Sequence, residues 1–242
     1  MISLKIRVKL VFFTLFLFSL SNLPIIYANG SHQSQYTSKP PVIDGEALFQ
    51  EWSGSCEIWN HVGVVLVKND GMNLYLLIDL HEDTIRDEVL PLGEDGDSVF
   101  IAFDIDLDSE ITSTDLEFSY NPHEHTACYS NFLGPQKWTD QTDSFRSHLA
   151  PGFGPTPHMV EPHRFWEVSI CLDEIHSTVG TSIRLGIEMN SASPELGYQT
   201  PENYVKDFSQ LIEIKIQKPP QDINYLTSSP LNNHIELDGR IS

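Results

Sequence analysis

Apolar and polar positions alternate with a two-residue period along much of this chain, the signature of strands with one buried face. Over residues 74–81, Leu74, Leu76, Ile78 and Leu80 point one way, and Tyr75, Leu77, Asp79 and His81 the other. Over 96–108, Val99, Ile101, Phe103 and Ile105 oppose Phe100, Ala102, Asp104 and Asp106. The period returns with Trp166, Val168, Ile170 and Leu172. It returns again where Ile183, Leu185, Ile187 and Met189 face away from Arg184, Gly186, Glu188 and Asn190. Residues 62–68 are strongly β-forming and run into Asn69, Asp70 and Gly71, a hairpin signal. Segments 116–120 and 126–130 predict a second hairpin around Asn121 and Pro122, and 211–216 a last strand.

The breaks between these runs matter as much. Gly134, Pro135, Pro151, Gly152, Gly154, Pro155 and Pro157 argue against regular elements between 131 and 163. An irregular stretch of that length is often a binding loop. Val42 and Ile43 read as a short edge element before the Asp44, Gly45 turn. Phe49 and Trp52, three apart, fit one helical turn that plugs an end of the fold, and residues 173–176 another. No long amphipathic helix is present in the pattern. The prediction is an all-β fold, a two-sheet antiparallel β-sandwich of jelly-roll-like type with about nine strands.

The N-terminus changes the compartment. Lys5, Arg7 and Lys9 precede an apolar run over 10–20, and Ala28 stands before Asn29, Gly30 and Ser31. This order predicts a signal peptide over 1–28, cleaved after Ala28, with an uncleaved anchor as the alternative. Residues 29–39 then read as a flexible lead-in, 40–217 as the sandwich and 218–242 as a linker. Glu236, Leu237, Asp238 and Gly239 echo Val42, Ile43, Asp44 and Gly45, as expected of the start of a truncated second repeat. Other domains of a larger or split protein are expected partners on that reading. No later segment approaches the roughly 20 apolar residues of a membrane span, so no membrane insertion is expected after cleavage. The expected location is extracellular or cell-surface.

Charge narrows the partners. The chain carries 34 acidic and 14 basic residues, a net charge of −20. Losing Lys5, Arg7 and Lys9 with the leader leaves 11 basic residues and a net charge of −23. Such a surface repels nucleic acid and anionic lipid, so neither is a partner, and it suits calcium or a neutral ligand. Cys56, Cys128 and Cys171 make an odd count in an oxidising compartment, which allows one disulfide and one spare thiol without fixing the pairing.

Two groups of residues offer chemistry. Asp104, Asp106 and Asp108 recur at every second residue, a pattern of hard oxygen donors that predicts a calcium site, with a solvated acidic strand end as the alternative. Trp138, beside Gln136, Lys137 and Asp140, is a candidate for stacking on a sugar or for capping the core. Arg184 and Glu188 share a strand face and can bind hydroxyls or pair across strands. His123, His125, His148, His158 and His163 fall in one quarter of the chain; His123 and His125 have HxH spacing and with Glu124 or Glu161 would make a zinc or copper site, but no closed ligand set is present and scattered surface histidines are the alternative. No nucleophile elbow, zinc-protease helix or phosphate loop is present, so no enzymatic activity is expected.

The order of pieces resembles the family 9 carbohydrate-binding modules and the wider DOMON-like sandwiches over residues 40–217. The resemblance rests on Val42, Ile43, Asp44 and Gly45 with Trp52, then Asn73 to Leu76 after the Asp70, Gly71 turn. Gly96, Asp97, Ser98 and Val99 leading to Asp104 follow, and then Glu167 to Ile170 and Leu185 to Asn190. It implies a non-catalytic module that binds a saccharide or glycan. Modules of this family grip sugar between two aromatic rings, one ahead of the DSV-type strand and one in the loop before the last strand. Here Leu92, Gly93, Glu94 and Asp95 fill the first place, and Tyr198, Tyr204 and Phe208 the second. The expected ligand contacts are therefore Trp138, Arg184, Glu188, Tyr198 and Tyr204. A surface or assembly module without sugar binding, or a metal- or haem-binding domain of the DOMON kind, are the alternatives.

Overall fold

The alternating segments build two stacked sheets. The computed structural model describes residues 31–86, 97–121, 126–132, 138–140, 146–192, 195–201 and 208–220. The predicted leader and the echo motif in the tail lie outside them. In chain order the elements are β1 (His32–Gln33), β2 (Gln35–Tyr36), α1 (Phe49–Trp52), β3 (Cys56–Trp59), β4 (Gly63–Asn69) and β5 (Asn73–Leu80). Then come β6 (Ser98–Asp104), β7 (Leu116–Asn121), β8 (Thr126–Phe132), β9 (Trp138–Asp140) and β10 (His148–Gly154). The last four are β11 (His163–Cys171), β12 (Ser182–Ala192), β13 (Glu195–Thr200) and β14 (Ile212–Lys215). Among the described residues no helix is long and apolar enough to cross a membrane.

The larger sheet runs β1-β14-β12-β6-β7-β8-β9, with β13 also on β12. The smaller runs β10-β11-β5-β4-β2, with β3 also on β4. All-β architecture in two sheets is as expected, with more strands than nine because short edge pieces add to the long ones. Pairing is antiparallel except for β1 on β14 and β2 on β4. Those two parallel strands are the segment expected to be a flexible lead-in. It instead crosses from one sheet to the other, and Ser34 between its strands is buried and bonded to Asn69 Nδ2 at 2.8 Å.

The inner faces are the ones the alternation predicts. Leu74, Leu76, Ile78 and Leu80 meet Val99, Ile101 and Phe103, together with Trp166, Val168, Ile170, Ile183, Leu185, Ile187 and Met189, in one core. Burying each such side chain contributes about 1.5–3 kcal/mol, which makes this layer the main source of stability.

The smaller sheet is also apolar on its outer face, and α1 covers it. Trp52 and Ala47 pack on Val64, Leu66, Tyr75, Leu77 and Phe165. Trp52 thus lies across a sheet face rather than plugging an end. Buried Glu167 fixes it there. Its Oε1 accepts the Trp52 indole N–H at 2.9 Å, and its Oε2 accepts the N–H groups of Gly45 at 2.9 Å and Asp44 at 3.2 Å. Gly45 has φ +84° and sits so close to β10 that a Cβ would lie 2.8 Å from Pro151 O.

Regular structure does return within the glycine- and proline-rich stretch, where none was expected. β9 pairs with β8, and β10 pairs with β11 from His148↔Ser169 to Gly154↔His163. Pro151 and Gly152 are tolerated because β10 is an edge strand, where a missing N–H costs no ladder bond.

On the outer face of the larger sheet, Glu117 lies close to Glu188. Burial, reinforced by the Glu188 charge, pushes the Glu117 carboxyl up to about 7.

Two predictions follow from these carboxylates. Glu167→Ala strands one buried and two part-buried donors and should cost about 3 kcal/mol in urea unfolding; a loss under about 1 kcal/mol would show that α1 is held by packing alone. Glu117 keeps its proton in the folded state at pH values where the unfolded chain has lost it. The stability it contributes is complete below its unfolded pKa and fades as pH rises through about 7. Glu117→Gln should therefore flatten the melting temperature between pH 5 and pH 8, readable by calorimetry at each pH.

Candidate functional site

Beyond the strip that α1 covers, the outer face of the smaller sheet turns from apolar to polar. Asp79 ends the series Tyr75, Leu77, Asp79 on β5, and His163 begins the series His163, Phe165, Glu167 on β11. The register sets Asp79 opposite Phe165 and Leu80 opposite Arg164, so His163 falls beside the Asp79 carboxylate. Both side chains are fully buried, and His163 Nε2 contacts Asp79 Oδ1 directly. Asp79 Oδ2 accepts Thr156 Oγ1 at 2.6 Å, and His163 Nδ1 donates to Glu161 O at 2.6 Å. His81 Nε2 is buried 3.3 Å from Asp79 Oδ2, at ion-pair distance but without a well-aligned hydrogen bond. Burial would raise the Asp79 carboxyl, but His163 and His81 outweigh it and hold it below its ordinary value. Burial likewise lowers His163, and Asp79 outweighs that and raises it.

An aromatic rim borders this cluster. Trp59 ends β3 opposite Val64, on the same outer face, and is 45% exposed. Its ring meets His158 at 5.1 Å and His81 at 6.1 Å between centroids, both edge to face, and its indole N–H donates to Glu57 Oε2 at 2.9 Å. His158 Nε2 lies 3.5 Å from Glu57 Oε1. The turn after Trp59 reaches the other sheet, where Asn60 Nδ2 bonds Thr200 Oγ1 and His61 meets the Tyr198 ring at 5.8 Å. Close to this rim Asp83 is pushed up to about 6, by burial first and then by Asp97. Arg164 Nε donates to Asp97 Oδ2 at 2.6 Å.

The acidic strand end is a second constellation. Asp104, Asp106 and Asp108 bring carboxylate oxygens within 4.8 Å of one another. Asp104 closes β6 opposite Arg184, whose Nη1 donates to Asp104 Oδ2 at 3.2 Å, Leu107 O at 3.1 Å and Ser109 Oγ at 2.6 Å. Asp106 accepts Thr114 Oγ1 at 2.8 Å, and Asp108 accepts the Glu110 N–H at 2.7 Å. Sequence reading missed Asp115, which returns to the base of this loop. It is buried and pushed up to about 6, by burial first and then, after an opposing backbone hydrogen bond, by Asp104 and Asp106. Asp104 Oδ1 and Asp115 Oδ1 are both buried without a hydrogen-bond partner.

Among the described residues, the expected ligand contacts Arg184, Glu188 and Tyr198 do not gather in one place. Arg184 is tied into the Asp104 loop, while Glu188 accepts Asn190 Nδ2 at 3.2 Å and Gln199 Nε2 at 3.1 Å on the same sheet face. Tyr198 is half-buried at the Trp59 rim. Trp138 lies on β9, with its side chain outside the described residues, as are Tyr204, His123 and His125. Cys56 and Cys171 are free thiols. His158 and His163 stood out in the sequence only as members of a histidine-rich stretch, and Trp59 went unflagged although it carried a signal: a lone tryptophan between a predicted helical turn and a strand.

No protein-family model matches the sequence, and no curated protein matches it at a significant level. Among solved structures, the chain is similar to a family 9 carbohydrate-binding module from Caldicellulosiruptor kristjanssonii in complex with glucose. The TM-score is 0.52 at 20% identity, covering 81% of this chain and 100% of that one. A structure of a family 9 module from the same organism with cellotriose gives 0.51 at 20% identity, covering 81% and 97%. The fold of this chain is that of a family 9-like carbohydrate-binding-module sandwich.

Proposed function

We propose that this chain is an exported, non-catalytic saccharide-binding module. The observation that carries the reading is the exposed Trp59 ring at one end of the sandwich, bordered by polar side chains able to bind hydroxyls. An exposed indole packs on the C–H face of a pyranose, and Glu57 and His158 beside it can accept from or donate to sugar hydroxyls. Tyr198, joined to the same rim through His61, adds a second aromatic surface. The similar family 9 modules, crystallised with glucose and cellotriose, support a β-linked glucan or a related neutral glycan as the ligand class. A neutral ligand also suits a chain of net charge −20.

Calcium belongs to the same reading. Two buried carboxylate oxygens without partners, on Asp104 and Asp115, together with Asp106 and Asp108, fit a hard cation with several oxygen ligands. Arg184 neutralises only the Oδ2 side of Asp104. A calcium ion on the Oδ1 side would hold the loop over residues 104–115 in one shape.

Two measurements test the proposal. Titration of the mature protein with cello-oligosaccharides, alongside a glycan array, should give binding that Trp59→Ala weakens at least tenfold, about 1.4 kcal/mol, without lowering the melting temperature. If Trp138→Ala alone abolishes binding, the platform is on β9 rather than at Trp59; no binding to any glycan would favour an assembly module. Millimolar calcium should raise the melting temperature, by about 2.7 kcal/mol of stabilisation at a hundredfold excess over its dissociation constant, and Asp115→Asn should remove the effect. A melting temperature indifferent to calcium and chelator alike would refute the calcium site.

A further inference from the structure

We propose that Asp79, His81 and His163 bind one divalent transition-metal ion, with zinc the metal that fits the donor set. Two imidazoles and one carboxylate present ligand atoms within 4.8 Å of one another on the outer face of the smaller sheet. Such borderline nitrogen and oxygen donors suit zinc, and three protein ligands leave a position for water or another ligand. Calcium and magnesium, which take oxygen ligands, are poorly served here, so this site is chemically distinct from the Asp104 loop.

The hydrogen bonding around His163 calls for a positive charge beside Asp79. Its Nδ1 lies 2.6 Å from Glu161 O, an acceptor, so Nδ1 carries a proton. In the neutral ring Nε2 then has only a lone pair, and that lone pair faces Asp79 Oδ1, which can only accept when ionised. Two acceptors in direct contact need a cation, either a second ring proton or a metal ion. His81 decides between them. Its Nε2 is buried 3.3 Å from Asp79 Oδ2 without a well-aligned hydrogen bond, and a proton on His163 does not improve that contact. A metal ion satisfies His81, His163 and Asp79 together.

The surroundings match what a metal site requires. Zinc ligands about 2.0 Å from the ion sit about 3.3 Å apart in a tetrahedron, which is the His81–Asp79 separation already in place. The His163–Asp79 contact opens to the same separation to admit the ion. Thr156 Oγ1 bonds the carboxylate from behind at 2.6 Å, and Glu161 O orients the His163 ring, the outer-shell pattern that fixes ligating carboxylates and histidines. The ion would clamp the end of β5 to the start of β11 and hold the His81 ring that meets Trp59. It does so whether or not a sugar binds.

The test uses untagged mature protein, stripped with a chelator and dialysed. Zinc titrated calorimetrically should bind at one equivalent and raise the melting temperature, and excess calcium or magnesium should not displace it. His81→Ala, at a partly exposed position, should fold normally and weaken zinc binding roughly a hundredfold, while a variant lacking His123 and His125 should bind as the parent does. Because His163 is buried and its variants risk misfolding, a second measurement uses the unaltered chain. Zinc should protect His81 from diethyl pyrocarbonate, read by peptide mass spectrometry. The proposal is overturned if zinc fails to bind at micromolar concentration, if His81→Ala binds as tightly as the parent, or if His81 reacts equally with and without zinc.

Discussion

The outer face of the smaller sheet sets the terms for the rest of this protein. A sheet buried on one face can leave the other to water, but here Val64, Leu66, Tyr75, Leu77 and Phe165 make both faces apolar. That second face has to be covered, and the cover is the short segment that carries α1. So small a segment cannot hold itself in place by its own secondary structure, since four residues of helix are far below what is stable alone. Glu167 supplies the attachment, gathering one side-chain and two backbone donors from the cover onto one carboxylate. The Asp44, Gly45 turn serves the same contact: only a residue without Cβ can bring its N–H to Glu167 while pressed against Pro151 O.

The cover stops short of the strand ends, and the polar cluster begins where it stops. Asp79 and His163 occupy the next outward positions along β5 and β11, where an apolar pair would have continued the covered strip. A buried carboxylate without a partner would lose several kcal/mol, so the pair exists only as a unit. Trp59 borders this transition, which is why it is exposed while Trp52 and Trp166 are not.

The sheets were legible in the sequence because a two-residue period states which side chains turn inward. It placed Leu74 to Leu80, Val99 to Ile105 and Ile183 to Met189 on the core face, and it set Asp79 and His81 on the opposite one. What it could not state is register between strands far apart in the chain. His163 is 84 residues from Asp79, behind a stretch whose prolines and glycines hid β10, and only the β5–β11 pairing brings the two together. Asp104 and Arg184 failed to be linked for the same reason, being cross-strand partners 80 residues apart. The alternation of Asp104, Asp106 and Asp108 was visible, but Asp115 reaches them only through the turn that Leu107 and Ser109 make at positive φ.

The two constellations proposed to hold cations differ in a way that follows from their positions. The Asp104 loop lies where a strand of the larger sheet leaves the core, so its carboxylates divide between the buried Asp104 and Asp115 and the exposed Asp106 and Asp108. Oxygen donors on a loop adapt to a large ion of variable coordination. Asp79, His81 and His163 sit on or beside the paired strands β5 and β11, with Asp79 and His163 fully buried and each fixed by an outer hydrogen bond. Asp79 and His163, held that firmly, can select by geometry as well as by charge, and imidazole nitrogen shifts the preference from hard to borderline metals. A strongly acidic chain attracts every divalent cation in its surroundings; which ion stays at each place is then decided by donor chemistry and rigidity, not by net charge.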